Sequence, residues 1–298
     1  MARRALLVGI NRYPNPAHRL RGCVNDVRQM EALLRGPFGF EPGAIVVLRD
    51  EAATAGAIRR ELGSLVGRSR DGDILVFHYS GHGSQVPDLD GDESDDRLDE
   101  VLCPYDLDWS DPLTDDDLGA MAQRMSRRAH LAVVLDCCHS GTGLRDARGG
   151  DHPPRGKSVP GPAGVRAAGA ASLRRFGERA VAAGAVLLAG CRAGQTSADA
   201  YIDGEYHGAH TFFLCRALAA RGYEATYQDV TRAMRRALRE GGFPQVPQLE
   251  GSTAGRSSLA FGGTRAAGAQ RGSGPEPARD GQGPGRSAER GRARLSPR

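Results

Sequence analysis

The stretch Ile74-Leu75-Val76-Phe77-His78-Tyr79, followed by Ser80-Gly81-His82-Gly83, joins a continuous apolar run to a glycine-flanked histidine. Continuous runs of this kind, without alternation, are typical of strands covered on both faces of a parallel sheet. Four further runs have the same character, and we predict that all five are buried strands. The other four are Ala5–Ile10, Ala44–Leu48, Leu131–Leu135 and Ala185–Ala189.

Helical patterns lie between the predicted strands. Apolar residues recur there with the spacing of one helix face, and Thr54 precedes one pattern as a candidate N-cap. Strands that alternate with helices predict an α/β fold with a mainly parallel sheet and helices on both faces. The predicted helices are Val24–Leu34, Ala52–Val66, Asp115–Met125, Thr211–Ala220 and Gln228–Leu238.

The composition is that of a globular protein rather than a membrane, collagen-like or wholly disordered one. The chain has 298 residues, of which 40% are hydrophobic and 26% charged, enough for one large α/β domain or two small ones. No apolar run approaches the ~18 residues of a membrane helix, and the N-terminal apolar stretch lacks a signal-peptide cleavage site. The six scattered cysteines contain no CxxC pair, which favours reduced thiols over disulfides or zinc. We therefore expect a cytoplasmic protein.

Two segments break the α/β pattern. Residues 145–178 are rich in Gly, Pro, Ala and Arg without apolar periodicity, which predicts a flexible insertion or linker. Residues after about Gly263 predict a disordered tail, in which eight arginines and three acids give a net charge of +5. A basic tail of this kind is usually solvated, so nucleic acid is not an expected partner.

Candidate catalytic residues follow two of the predicted strands. His82 follows the third strand, and Cys138 follows the fourth within Asp136-Cys137-Cys138-His139-Ser140-Gly141. Because carboxyl ends of parallel strands meet at one rim of the sheet, we expect a thiol and an imidazole there. This pair suits nucleophilic acyl transfer, with backbone N–H groups near Gly83 and Cys138 binding the oxyanion. His139 is an alternative base, but adjacent side chains on an extended segment diverge, which favours His82.

Three segments carry a resemblance to a known family. Tyr79–Gln85, Asp136–Gly141 and Gly22–Asp26 resemble the motifs of type I metacaspases and their prokaryotic relatives, caspase-like cysteine peptidases of family C14. Cys138 follows His82 by 56 positions, which suits the caspase-like spacing of about 50 residues, whereas the caspase signature Gln-Ala-Cys-x-Gly is absent. The resemblance extends over about Arg4–Gln248.

The resemblance implies a caspase-like α/β/α sandwich in four parts. These are a large catalytic part at 1–146, a linker at 147–179, a small part at 180–262 and a tail at 263–298. It also implies that the nucleophile stands directly before His-Ser-Gly, which is Cys138, with Cys137 as the competing choice. Metacaspases are typically monomers, and we expect the same here.

The resemblance further implies a substrate pocket for Arg or Lys before the cut bond. Asp26 and Asp136 match the two aspartates that line this pocket, and Ser80 and Cys23 match lesser pocket positions. Carboxylates suit a guanidinium or ammonium group through charge-assisted hydrogen bonds. The alternatives are that Asp26 caps a helix and that Asp136 forms a turn after its strand.

An acidic stretch holds the candidate metal ligands. Residues 88–117 contain fourteen acids and one base, and hard oxygen ligands favour Ca²⁺. An EF-hand is excluded because Gly91 comes too early in the loop, whereas a solvated acidic loop remains the alternative. The resemblance implies calcium ligands at Asp99, Asp115 and Asp116, while the fourth family position is Arg145, so Asp146 is the expected substitute.

These observations predict a calcium-responsive cysteine endopeptidase that cleaves protein or peptide substrates after Arg or Lys. The basic linker offers sites for self-cleavage, or it is a plain spacer. The alternatives are a caspase-fold enzyme with another specificity, a non-catalytic interaction module, and a metal-binding or redox protein built on the adjacent cysteines.

Overall fold

The central element is a six-stranded sheet in the order β12-β9-β7-β3-β1-β2. The computed structural model describes residues 1–87, 98–138, 152–162, 185–192 and 194–263. Five strands of the sheet run parallel, and β12 pairs antiparallel with β9 at one edge. The strands are β1 (Arg3–Gly9), β2 (Ile45–Arg49), β3 (Ile74–Ser80), β7 (His130–Asp136), β9 (Ala185–Ala189) and β12 (Gln248–Glu250).

Helices cover both faces of this sheet, which confirms the predicted α/β class. Successive residues of a strand face opposite sides, so Leu6 and Val8 pack with α2 and α3, whereas Ala5 and Leu7 pack with α1, α4 and α5. The helices are α1 (Cys23–Arg35), α2 (Ala55–Gly67), α3 (Asp115–Ala122), α4 (Ala209–Ala219), α5 (Tyr227–Glu240) and α6 (Thr253–Ser257).

The predicted elements differ from the observed ones mainly at their ends. α2 begins at Ala55 rather than Ala52, because Thr54 caps it by accepting the N–H of Ala57, as expected for an N-cap. Residues 50–52 instead form a 3₁₀ turn. α3 ends at Ala122, three residues before the predicted end.

Two small antiparallel sheets stand beside the central one, and the apolar runs did not predict them. The first contains β4 (Gly83–Pro87), β5 (Leu98–Leu102) and β6 (Leu113–Thr114). The second contains β8 (Arg155–Gly156), β10 (Ala198–Ile202) and β11 (Glu205–Gly208). Their strands are short and mix polar with apolar residues, so they carry no continuous apolar signal.

The chain divides into two units, Met1–Arg265 and Ala266–Arg298. The first unit includes β9 and β12, so the large and small parts expected from the sequence contribute strands to one sheet. The expected tail lies almost wholly outside the described residues, as does most of the expected linker. Within the described part of the chain, every helix is too short or too polar to cross a lipid bilayer.

Candidate active site

The site is organised around a buried lysine. Lys157 is the one lysine in the sequence, and its side chain is fully buried. Its Nζ lies 3.1 Å from Oδ1 of Asp136 and 3.4 Å from Oδ2 of Asp26, and it donates to Oγ of Ser80 at 2.8 Å. Three of the four residues expected to line the pocket therefore surround an ammonium group contributed by the chain itself.

The sheet brings these three pocket residues together. Ser80 and Asp136 end the neighbouring strands β3 and β7 and are register partners. Asp26 lies in the first turn of α1, where the helix dipole favours a carboxylate. Its carboxylate does not cap that helix, because it accepts the Ser80 hydroxyl at 2.6 Å and the Gly208 N–H at 2.9 Å. The helix-cap alternative for Asp26 is therefore wrong.

Residues from the second half of the chain complete the acidic pocket. The carboxylate of Asp136 accepts the Ser197 hydroxyl at 2.7 Å and both the N–H and the hydroxyl of Thr211 at 2.8 Å. These long-range contacts contradict a local turn role for Asp136. Asp199 accepts the N–H groups of Arg21 and Gly22 at 2.9 and 2.7 Å, which holds the start of α1 against β10.

The charges of the pocket stabilise one another. Burial alone would lower the pKa of Lys157, but the neighbouring carboxylates, Asp136 foremost, raise it well above its usual range. Burial alone would likewise raise the pKa of Asp136, but the Lys157 ammonium and hydrogen bonds from Ser197 and Thr211 bring it well below its usual range. The pocket therefore holds an ion pair in its charged form.

Cys23 contributes a neutral thiol, which contacts Ser80. It is fully buried at the start of α1, where its N–H donates to Oδ1 of Asn11 at 2.8 Å. Burial raises the pKa of its thiol far above the usual range, so it is protonated. Cys23 thus lies beside Asp26 in the wall of the pocket.

The carbonyl oxygen of Lys157 is bound by two backbone N–H groups. Gly83 donates to it at 3.0 Å and Cys138 at 3.1 Å. One donor directly follows His82 and the other belongs to the expected nucleophile, so the two motifs converge on one carbonyl. Two N–H groups aimed at a single carbonyl oxygen form the arrangement of an oxyanion hole.

The residues around Lys157 pair with two other segments of the chain. β8 pairs antiparallel with β10, and the N–H of Lys157 donates to the carbonyl of Ser197 at 3.1 Å. On the other side, the N–H of Val159 donates to the carbonyl of Gly83 at 3.0 Å. The prediction of a flexible insertion or linker is therefore wrong for residues 152–162. Long-range pairing and the buried ion pair order a segment whose local composition signals a linker.

The two adjacent cysteines face different surroundings. Cys137 packs in the hydrophobic core with Leu135, and burial raises the pKa of its thiol well above the usual range. The sulfur of Cys138 instead accepts the N–H of Ser197 and donates to the Ser197 carbonyl at 3.4 Å. The Cys138 sulfur therefore lies beside β10, at the strand that pairs with the Lys157 segment.

The His82 ring is held by a backbone carbonyl. Its Nε2 lies 2.7 Å from the carbonyl oxygen of His18, and an N–H there leaves Nδ1 as the basic atom. Nδ1 is buried without a hydrogen-bond partner among the described residues, and no hydrogen bond joins it to the Cys138 sulfur. Burial lowers the pKa of His82 to about 4, so the imidazole is neutral at pH 7. His139 lies outside the described residues.

Two of the candidate calcium ligands, Asp99 and Asp115, lie in β5 and at the start of α3. Asp99 and Asp115 are buried, and Oδ1 of Asp115 accepts the N–H of Glu100 at 3.1 Å. Burial and the charges of Asp116 and Asp99 raise the pKa of Asp115 to about 8. The donors are hard oxygens, which suit Ca²⁺. No metal-binding group of three or more His, Cys, Asp or Glu side chains occurs among the described residues, and Asp146 lies outside them.

The sequence around several pocket residues does not indicate that they belong to the pocket. A Cβ on Gly208 would lie 2.2 Å from both Oδ2 of Asp136 and Nζ of Lys157. Gly208 therefore forms part of the pocket wall, and any larger residue at this position would overlap the pocket side chains. The contacts of Ser197, Thr211 and Gly208 across the fold define what these residues do.

A mainly parallel α/β sheet with a thiol and an imidazole following neighbouring strands defines a caspase-like class of protein. The model of the metacaspase, peptidase C14 domain matches residues 3–146. Metacaspase-1 of Meyerozyma guilliermondii is 33% identical over 84% of this chain and 69% of its own length. Metacaspase-1B of Aspergillus oryzae is 31% identical over 87% and 70%. The chain belongs to the metacaspases, whose members are cysteine-type peptidases.

Other similar proteins agree with this assignment. Metacaspase-7 of Arabidopsis thaliana is 40% identical over 50% of this chain, which spans 37% of that relative's length. The crystal structure of a Geobacter sulfurreducens protein superposes with a TM-score of 0.62 at 25% identity, covering 88% of this chain and 98% of that one. These matches support the same fold over most of the described residues.

The fit of Gly208 against Lys157 gives a prediction. In a Cys138→Ala background, Gly208→Ala should displace the Lys157 side chain, because the added methyl overlaps Nζ and the Asp136 carboxylate. An endopeptidase specific for lysine cuts this chain at one position only, so the rate of cleavage after Lys157 measures the displacement. We expect clearly faster cleavage in Gly208→Ala.

The matched control for this measurement is Gly63→Ala in α2, where a Cβ would meet no atom within 4 Å. The lysine-specific endopeptidase should cut the Gly63→Ala variant at the same rate as the parent protein. Equal rates for Gly208→Ala and the parent would contradict the seating of Lys157 in the pocket.

Proposed function

We propose that this chain is an endopeptidase that cleaves after Lys or Arg, with Cys138 as nucleophile and His82 as base. One observation carries the proposal: Lys157 enters an acidic pocket while its carbonyl accepts the N–H groups of Gly83 and Cys138. An endopeptidase must bind the side chain before the cut bond and the carbonyl of that bond in this way.

The proposed mechanism assigns one step to each group. Nδ1 of neutral His82 takes the thiol proton of Cys138, and the sulfur attacks the carbonyl carbon after the basic residue. The N–H groups of Gly83 and Cys138 stabilise the negative oxygen of the tetrahedral intermediate. His82 then protonates the departing amine, and water hydrolyses the thioester to regenerate the thiol. The His18 carbonyl keeps the ring oriented throughout.

The charge of the pocket supports specificity for basic residues. Asp26 and Asp136 present two carboxylates to the bound side chain, and an acidic substrate residue would meet like charge there. The alternative of a caspase fold with another specificity predicts cleavage after residues other than Lys or Arg. A non-catalytic interaction module predicts no cleavage at all. Peptide assays separate the three.

We expect Asp136→Asn to lower kcat/KM for a fluorogenic Lys peptide by about 10- to 100-fold. A hydrogen bond to a charged group contributes about 1.5–3 kcal/mol, and 1.4 kcal/mol corresponds to a factor of ten. The assay compares Lys-, Arg- and Asp-terminated peptides for wild type, Asp136→Asn, Cys138→Ala and the exposed control Asp71→Asn. Hydrolysis of the Asp peptide alone, or full activity in Cys138→Ala, would contradict the proposal.

The same contacts support self-processing between Lys157 and Ser158. Purified wild type should yield one new N-terminus at Ser158, detected by N-terminal sequencing or mass spectrometry. Lys157→Arg should retain the cut, because the pocket acids still hold a cation, whereas Lys157→Gln and Cys138→Ala should lose it. A fragment beginning at Ser158 in purified Cys138→Ala would overturn self-cleavage, as would an intact wild-type chain under conditions where peptides are cleaved.

Calcium is proposed as an activating cofactor held by Asp99, Asp115, Asp116 and Asp146. The buried Asp115 carboxyl with its raised pKa supports this, because a divalent cation would neutralise the clustered negative charge. Bound Ca²⁺ would supply that charge neutralisation, while the bond-breaking steps remain with Cys138 and His82.

Removing calcium with EGTA should abolish most peptide cleavage, and Ca²⁺ but not Mg²⁺ should restore it. Asp115→Asn should weaken Ca²⁺ binding in titration calorimetry, whereas the exposed Asp71→Asn should not. Cleavage that is unchanged by chelator and by added calcium would show that calcium has no such role.

The proposed setting is the cytoplasm, where the protein acts on polypeptides as a monomer. The six cysteines are scattered along the sequence without a CxxC pair, which favours reduced thiols and a reducing compartment. The monomeric state rests on the resemblance to metacaspases.

A further inference from the structure

Gly156, the residue before Lys157, lies against a methyl group. A Cβ on Gly156 would lie 2.7 Å from Cγ2 of Thr196, closer than carbon atoms approach without displacement. The backbone of Gly156 does not require glycine, because Gly156 is not among the residues with positive φ. Contact with Thr196 is therefore what excludes a side chain at this position.

Thr196 has little freedom to move away. It is buried, and its β-branched side chain has few accessible rotamers. The next residue, Ser197, is fixed on three sides: its carbonyl accepts the Lys157 N–H, its hydroxyl donates to Asp136, and its N–H donates to the Cys138 sulfur. On the other side, Gln195 donates to the carbonyl of Pro244 at 2.8 Å. The contacts that form the pocket therefore also hold Thr196 in place beside Gly156.

We propose that Thr196 is a specificity-determining residue that restricts the position before the cleaved basic residue to glycine. This inference rests on the proposed function, since it assumes that substrates bind as residues 155–159 do. The substrates are then segments that contain Gly-Lys or Gly-Arg. Alanine is the smallest residue that Thr196 excludes, and larger side chains are excluded more strongly.

Peptide kinetics test the proposal directly. Three fluorogenic peptides differ only in Gly, Ala or Val before a terminal Lys. Wild type should prefer the Gly peptide over the Ala peptide by about tenfold or more in kcat/KM, as expected for overpacking a rigid site. Thr196→Ser removes Cγ2 and keeps the hydroxyl, so it should reduce this preference severalfold. Equal cleavage of the Gly and Ala peptides by wild type, or an unchanged ratio in Thr196→Ser, would overturn the proposal.

A second measurement does not depend on peptidase activity. In the Cys138→Ala background, Gly156→Ala should expel the segment and speed cleavage after Lys157 by a lysine-specific endopeptidase. Adding Thr196→Ser to Gly156→Ala should restore protection, because the overlapping methyl is gone. Unchanged protection in Gly156→Ala, or no rescue by Thr196→Ser, would refute the role of Thr196. If Thr196→Ser restores protection but the wild-type protein cleaves no peptide, the proposed function is wrong and the steric contact between Gly156 and Thr196 is still supported.

Discussion

The rest of the site depends on a buried ion pair between Lys157 and the carboxylates of Asp26 and Asp136. Removing a charge from water costs on the order of several kcal/mol, and one attraction offsets that cost only when hydrogen bonds satisfy the remaining groups. Here Ser80, Gly208, Ser197 and Thr211 supply those bonds. A neutral side chain in place of Lys157 would leave these two buried carboxylates without the ammonium group that offsets their charge.

The parallel sheet makes this arrangement possible. Because β3 and β7 are neighbours in register, their last residues, Ser80 and Asp136, face the same pocket, and the chain then continues into His82 and Cys138. The pocket and the two N–H groups that bind the Lys157 carbonyl are therefore separated by only a few residues on each strand. A shift of register between β3 and β7 would disrupt both together.

Much of this architecture could be predicted from local signals. The five central strands are continuous apolar runs, and the candidate residues Asp26, Ser80 and Asp136 follow from short motifs with a family resemblance. The role of Lys157 could not be predicted, because Gly, Pro and Arg around it signal a linker. The segment around Lys157 is ordered by its contacts with β10 and with the pocket acids, which are distant from it in the sequence. Gly208 and Thr196 were missed for the same reason, since each matters through one contact across the fold.

The hydrogen bonds of the two proposed catalytic side chains also explain why a bound lysine does not by itself mean a broken bond. The Cys138 thiol donates to the Ser197 carbonyl, and the His82 Nε2 is engaged by His18. Attack on a carbonyl requires the thiolate, so in the proposed mechanism the thiol exchanges the Ser197 carbonyl for Nδ1 of His82. The carbonyl site and the side-chain pocket are already filled by the segment around Lys157. In the proposed mechanism, one proton and one sulfur move beside Thr196 and Ser197, the two residues that precede β10.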